Sequence, residues 1–396
     1  MMNTNHTPIS EKERIHSLDV IRGFALLGIF LVNMSSFHSP ELYKGLFEKV
    51  GGIDQVIINS IDFFAQASFY TLFSFLFGYG MVIFLDRAKE KELKYNTLFI
   101  RRLIVLLVIG MLHAFLIWHG DILITYGIIG FIVLLFYKAK SKTLLTSGLF
   151  ILFIPAILLS ALLFIATLVS PDTVIPRDTE MYNQSIEIYS SGTYLDITKQ
   201  RIEDWYSVNN LENAFFLITS ILPLFLLGAY VAKEKWFSHV SLHKKSILIM
   251  WAISLVVAVP VKLLPFFITE NLGSEFLQDS IGGPAMALFY GTSIVLLVEK
   301  KLWRRILQPF SYVGRLSLTN YLLQSIVCTL IFYSYGLGYY GQFSHVEGLL
   351  LTFGIYILQI IMSYFWLKYF NYGPMEWGWR SLTYGKFQPL RRELHS

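Results

Sequence analysis

Apolar stretches long enough to cross a bilayer alternate with short polar segments over almost the whole chain. A span needs about 20 mostly apolar residues. That rule predicts spans at Asp19–Phe37, Ile57–Leu85, Leu103–Trp118, Ile122–Tyr137, Leu144–Val169, Leu211–Ala232, Ser246–Ile268, Gly282–Val298, Phe310–Tyr333 and Gly348–Phe370. The third and fourth are short and are separated only by His119–Gly120–Asp121, which makes them a tight helical hairpin. The expected fold class is all-α, a polytopic transmembrane helical bundle of about ten spans. The longest polar segment, Pro171–Asn210, is rich in Tyr, Ser, Asp and Glu, with a short amphipathic helix expected over Asp196–Asp204. A segment of this length either caps a site or is simply solvated, and the sequence leaves both open. No internal repeat is visible, which weighs against an inverted-repeat transporter.

Charge gives the bundle an expected orientation, with both termini cytoplasmic. The inner segments then carry Lys12 and Arg14; Arg87, Lys89, Lys91, Lys94, Arg101 and Arg102; Lys138, Lys140 and Lys142; Lys233, Lys235, Lys244 and Lys245; Lys300, Lys301, Arg304 and Arg305; and Lys386, Arg391 and Arg392. The outer segments carry only Lys44, Lys49, Arg177, Lys199 and Arg201. This is the positive-inside pattern, and one missed span would invert everything downstream and destroy it. The expected organisation is a cytoplasmic N-terminal segment at 1–18, a bundle at 19–370 with an extracytoplasmic loop at 171–210, and a cytoplasmic tail at 371–396.

Composition agrees. A hydrophobic fraction of 55% and a mean hydropathy of +0.55 lie outside the range of soluble domains. The net charge of +5 comes from the inner loops and does not call for nucleic acid. Cys328 is the single cysteine and cannot form an internal disulfide. Residues 1–17 are polar, so no removable signal peptide is expected and the first span acts as the insertion signal.

Hydrocarbon penalises an ionisable group that lacks a partner or a task, so polar residues inside the spans carry the most information. Asp19 and Arg22, three apart, share a helix face and can pair. A structural ion pair is the plainer interpretation. A sharper one makes Arg22 an anion-binding group at the inner mouth. It also places Asn33, eleven residues and about 16 Å further along the stripe, as an amide donor near the outer surface. Asn59, Asp62 and Gln66 line one face near the outer leaflet, either solvated or facing a substrate. His113 lies one to two turns below the outer turn, and Gly120–Asp121 could bring a carboxylate back to it. An imidazole held by a carboxylate is a general base; the alternative is a histidine bonded to a backbone carbonyl. Ser317, Asn320 and Gln324 form a polar stripe that either glues helices or lines a passage. Arg22, Arg101, Arg102 and Arg315 fall at span starts on the inner side. They form either a phosphate-binding collar or anchors for lipid head groups. His38 and His119 are expected to be interfacial and solvated. His239, His243, His345 and His395 lack metal-ligand spacing, so no metal site is expected.

Several motifs resemble the YeiB-like family of bacterial membrane proteins. They are the opening Leu18–Asp19–Val20–Ile21–Arg22–Gly23 through Asn33, Leu76–Phe77–Gly78–Tyr79–Gly80, Gly120–Asp121–Ile122–Leu123 with Tyr126, Gly314–Arg315–Leu316–Ser317–Leu318–Thr319–Asn320–Tyr321–Leu322–Leu323–Gln324–Ser325, and Gly373–Pro374–Met375–Glu376–Trp377–Gly378–Trp379–Arg380. The opening motif is also similar to that of the lysosomal heparan-α-glucosaminide N-acetyltransferases, which implies a transmembrane acyltransferase fold. Asn33 matches an asparagine of those enzymes. His38 follows it too closely to match their active histidine, and the YeiB-like counterpart is His113.

Residues and resemblance together predict an integral membrane acyltransferase of the bacterial plasma membrane. It would move an acyl group from a cytoplasmic acyl-CoA, such as acetyl-CoA, to an extracytoplasmic glycan, lipid-linked sugar or other envelope acceptor. His113 would be the base or a transient acyl carrier, oriented by Asp121, with Asn33 donating to the oxyanion. Arg22 and Arg315, with Arg101 and Arg102, would hold the donor, while Asp62, Gln66, Asn320 and Gln324 would contact the acceptor. The expected partners are the lipid bilayer and that acceptor, with a homodimer left open and no nucleic acid. The alternatives are a transporter or flippase of a small anionic or lipid-linked solute, with the polar stripes lining its path, and a non-catalytic membrane scaffold.

Overall fold

A computed structural model describes residues 14–45, 47–170, 177–267 and 270–392. Lys12, most of the 1–18 segment, the start of the long polar segment at 171–176, the expected span end Ile268, and His395 at the end of the tail lie outside the described residues. Among the described residues there is no sheet, only an isolated antiparallel bridge between Phe370 and Arg391. The helices in order are α1 His16–His38, α2 Gly52–Phe64, α3 Ser68–Glu90, α4 Tyr95–Leu116, α5 Leu123–Leu135, α6 Ser141–Val169, α7 Thr179–Ser191, α8 Tyr194–Asn209 and α9 Leu211–Lys233. There follow α10 Val240–Phe267, α11 Leu272–Leu277, α12 Gly283–Val298, α13 Lys301–Ile306, α14 Gln308–Arg315, α15 Ser317–Phe332, α16 His345–Tyr369 and α17 Pro374–Tyr384.

Among the described residues, eight stretches are long and apolar enough to cross a membrane: α1, α2 with α3, α4, α6, α9, α10, α11 with α12, and α16. The bent pair α14–α15, with an angle of 83°, makes a ninth if counted as one span. The protein is therefore a multi-pass helical membrane protein. The fourth expected span appears as α5, which has 13 residues. At about 20 Å it is well short of a hydrocarbon core of about 30 Å. The third is not short, because α4 starts at Tyr95 rather than Leu103. The eighth starts at Leu272 rather than Gly282, because Glu275 and Asp279 hide its polar first half from an apolar count.

Breaks in the spans are chemically satisfied. Where α2 stops, its last carbonyls lose their helical donors. Ile61 O accepts from the amides of Ala65 and Gln66, Asp62 O from Lys262 Nζ at 3.1 Å, and Phe64 O from Tyr290 Oη. The same ammonium reaches Gln66 O at 2.8 Å, and Gln278 Nε2, in a π-helical turn between α11 and α12, donates to Asp62 Oδ2 at 2.7 Å. Lys262 is fully buried in α10 and serves as a cap for another helix. The α14–α15 break is held from a third element. Glu376 of α17 accepts from the amides of Leu318 and Thr319 and from Thr319 Oγ1, occupying the free N-terminus of α15.

Residues 177–210 of the long polar segment fold into α7 and α8, which pack on one end of the bundle. Tyr194 Oη donates to Leu116 O and Arg201 Nη1 to Phe115 O, both in the last turn of α4. Beneath them Asp204 is buried and accepts from Tyr43, Tyr189 and Gln200. The segment is a cap rather than a solvated loop. The amphipathic helix expected at Asp196–Asp204 is the centre of the longer α8.

Candidate active site

The hairpin between α4 and α5 brings two site residues together. His113 occupies the last turn of α4, and Gly110, one turn earlier, leaves room for the start of α5 against the α4 backbone. Asp121 Oδ2 accepts from Ile124 N at 2.8 Å, which caps α5 and fixes the carboxylate. Its other oxygen meets His113 Nδ1 at 2.8 Å. The second imidazole nitrogen, Nε2, lies 2.9 Å from Ser325 Oγ on α15. All three side chains are buried. A carboxylate cannot donate, so Nδ1 carries the proton, and in the neutral ring Nε2 accepts from the serine hydroxyl. Tyr321, one turn before Ser325, places its ring 5.1 Å from the imidazole and donates to Gly120 O, locking the turn.

One end of the bundle holds a cavity of about 800 Å³ lined by Arg14, Arg22, Arg87, Lys91, Arg102, Arg315 and Arg380, against only Asp19, Glu90 and Glu376. Its aromatic walls include Phe73, Phe77, Phe84, Tyr372, Trp379 and Tyr384. Asp19 and Arg22 pair at 2.9 Å, with Arg14 at 4.0 Å from the same carboxylate. Backbone contact between α1 and α14 puts Arg22 and Arg315 in this cavity. A Cβ on Gly23 would collide with Phe310 O, and one on Gly314 with Asp19 O. Arg102 stacks over Trp379, 3.6 Å from the ring centroid. Burial raises the Glu376 carboxyl above its usual range, against the pull of its bonds to Thr319 and Leu318. Arg101 is exposed and does not line the cavity, so the expected collar has Arg14, Arg87 and Arg380 in its place.

At the opposite end, a second cavity of about 670 Å³ is lined by Asp62, Gln66, Asn59, Glu275 and His345, with Lys44, Lys49 and several further carboxylates at its rim. The two cavities share no lining residue, and neither includes His113, Asp121 or Ser325. Asn33 is half-buried and lines neither cavity. The α15 stripe divides. Asn320 Nδ2 donates to Ser363 Oγ, Gln324 Nε2 to Gln359 Oε1, and Gln359 Nε2 to Asn320 O, so both expected acceptor contacts instead bind α15 to α16. His38 and His119, expected at a wet interface, are both buried. His119 lies 3.7 Å from Asp204, and burial lowers its pKa despite that carboxylate. Sequence spacing missed Ser325 and Lys262. Ser325 follows Gln324 but lies about 100° further round the helix, against α4 rather than α16, and Lys262 sits inside an unbroken apolar run. Among the described residues no three His, Cys, Asp or Glu side chains gather as metal ligands.

Fold and geometry define the class: a polytopic helical membrane protein with a cationic cavity at one end and a buried Asp–His–Ser chain in its interior. Residues 231–386 match the family described as Protein of unknown function (DUF418). Over its length the chain is 40% identical to the uncharacterized protein YxaH of Bacillus subtilis (strain 168), covering 98% of both chains. It is 31% identical to an uncharacterized 39.9 kDa protein in the amylase 3′ region of Bacillus acidopullulyticus, covering 97% of each. To the uncharacterized protein YeiB of Escherichia coli (strain K12) the identity is 27%, over 94% of this chain and 96% of that one. The chain belongs to this YeiB-like DUF418 family.

Proposed function

We propose that the protein is a membrane acyltransferase of the bacterial plasma membrane. It takes an acyl group from an anionic coenzyme A thioester at the basic end and passes it to an envelope hydroxyl or amine at the other. The observation that carries this reading is the cationic, aromatic-walled cavity that reaches Ser317 at the start of α15, the helix that carries Ser325 of the buried Asp121–His113–Ser325 chain. Guanidinium groups bind phosphates in forked pairs, and Trp379 and Tyr384 offer faces on which an adenine ring stacks. Arg22, Arg315, Arg102 and Arg380 would hold the phosphates, with the basic end cytoplasmic as the loop charges favour. From Ser317, at the cavity edge, to Ser325 is eight residues of α15, about 12 Å, a depth that a thioester arm rather than a head group would cover. The acidic cavity at the far end, with Asp62 and Gln66 in its wall, suits a polyhydroxylated or amine-bearing acceptor. A transport path along α15 is disfavoured, because Asn320 and Gln324 are engaged with α16.

Purified protein should be stabilised against heating by acetyl-CoA, by about 2.7 kcal/mol at a hundredfold excess over its Kd. Arg22→Ala with Arg315→Ala should abolish that shift. In cells, deletion of the gene should remove an acyl mass from envelope glycans or lipids, and the wild-type gene should restore it. An absent thermal shift together with an unchanged envelope would overturn the assignment.

A further inference from the structure

We infer that Ser325 is the nucleophile of this transfer and carries the acyl group as an ester between two half-reactions. This rests on the acyltransferase reading above. A hydroxyl inside a helix ordinarily bonds back to a carbonyl three or four residues earlier. Thr71, Ser74, Thr292 and Thr352 in this protein do so. Ser325 Oγ instead meets an imidazole whose far nitrogen is held by a carboxylate, and that carboxylate is itself fixed by a backbone amide. This is the arrangement that activates a weak nucleophile: the base removes its proton and a third group orients the base. A histidine with only a structural task needs no partner able to attack carbon.

In the first half-reaction Ser325 Oγ bonds to the thioester carbonyl carbon and its proton passes to His113 Nε2. The C–S bond then breaks, and the thiolate takes the proton from Nε2 to leave as free coenzyme A. In the second, the acceptor hydroxyl or amine attacks the Ser325 ester and gives its proton to Nε2. Ser325 Oγ leaves and recovers that proton. Both steps need a hydrogen-bond donor for the oxyanion. The indole N–H of Trp118 is buried without an acceptor among the described residues, and its ring lies 6.4 Å from the imidazole. That makes it a better candidate than Asn33. Ser317, Tyr321 and Ser325 follow at four-residue spacing on one face of α15. The Tyr321 ring therefore lies on the line from the cavity edge to Ser325.

The labelling arm needs no acceptor, and transfer is read from the acyl mass that each variant restores to the envelope of cells lacking the gene. The full-length protein in lipid nanodiscs is incubated with radiolabelled acetyl-CoA, denatured at neutral pH, where an acylated imidazole lasts longer than in acid, and digested without delay. An acetyl mass is expected on the peptide containing Ser325. Ser325→Ala should lose the label and lower transfer by about a thousandfold or more, while acetyl-CoA still raises its melting temperature. Ser325→Cys should retain the label as a thioester released by neutral hydroxylamine, which leaves the wild-type ester intact. Label on His113, or full transfer by a stable Ser325→Ala protein, would overturn the serine carrier and leave the acyltransferase standing. Absence of both label and thermal shift in the wild type would remove both.

Discussion

His113 uses both ring nitrogens, so each neighbour can be tested separately. Replacing Asp121 by Asn removes the charge that fixes the tautomer, and transfer should fall by about 10²–10⁴-fold with the fold intact. Replacing it by Ala also strands Ile124 N and His113 Nδ1, which should cost about 3 kcal/mol in thermal unfolding. His119 offers a pH test at the cap. Its folded pKa lies below the ordinary 6.5 because burial outweighs the nearby Asp204, and the charge of Arg201 lowers it further. The unfolded chain therefore binds the extra proton first. Stability of the α7–α8 cap is full above about pH 6.5 and falls as pH drops from there toward the folded pKa. Hydrogen exchange in α8 should quicken over that interval in the wild type and stay flat in His119→Gln. At this scale the sequence revealed only what was close in the chain. His113 and Asp121 are joined by a tight turn whose Gly-Asp pair is visible. Ser325 lies on a distant helix, and no spacing rule connects it to them.

Broken helices mark the limit of reading elements from apolarity. The ten stretches expected from a hydrophobic count each contain a helix, because the bilayer demands long apolar segments whatever the topology. Bends follow from something else, namely who supplies the missing backbone partners. The α14–α15 bend carries no proline, and its cap, Glu376, comes from α17. Glu376→Ala should cost about 1–2 kcal/mol and loosen the start of α15, with Glu376→Gln intermediate, both read by thermal unfolding in detergent. Lys262 is the parallel case on α2. Lys262→Met keeps the bulk but frees the carbonyls of Asp62 and Gln66, and should destabilise by a larger margin, about 3 kcal/mol or more.

Across the whole molecule, basic and acidic cavities stand at opposite ends with the Asp–His–Ser chain in the interior between them. If loop charge sets the topology, the basic end faces the cytoplasm. Cys328 is buried, so single-cysteine scanning has a quiet background. A membrane-impermeant maleimide applied to intact cells should label Glu187→Cys in the α7–α8 cap and spare Glu92→Cys at the α3–α4 turn; the reverse would invert the orientation. The cationic cavity also has an unusual assembly order. Its wall joins Arg14 and Arg22, around the start of α1, to Trp379 and Arg380 of α17, which follow α1 through α16 in the chain. A chain made only as far as α16 lacks the floor on which a nucleotide would settle, so occupancy of this cavity can serve as a reporter that α1 through α17 have come together.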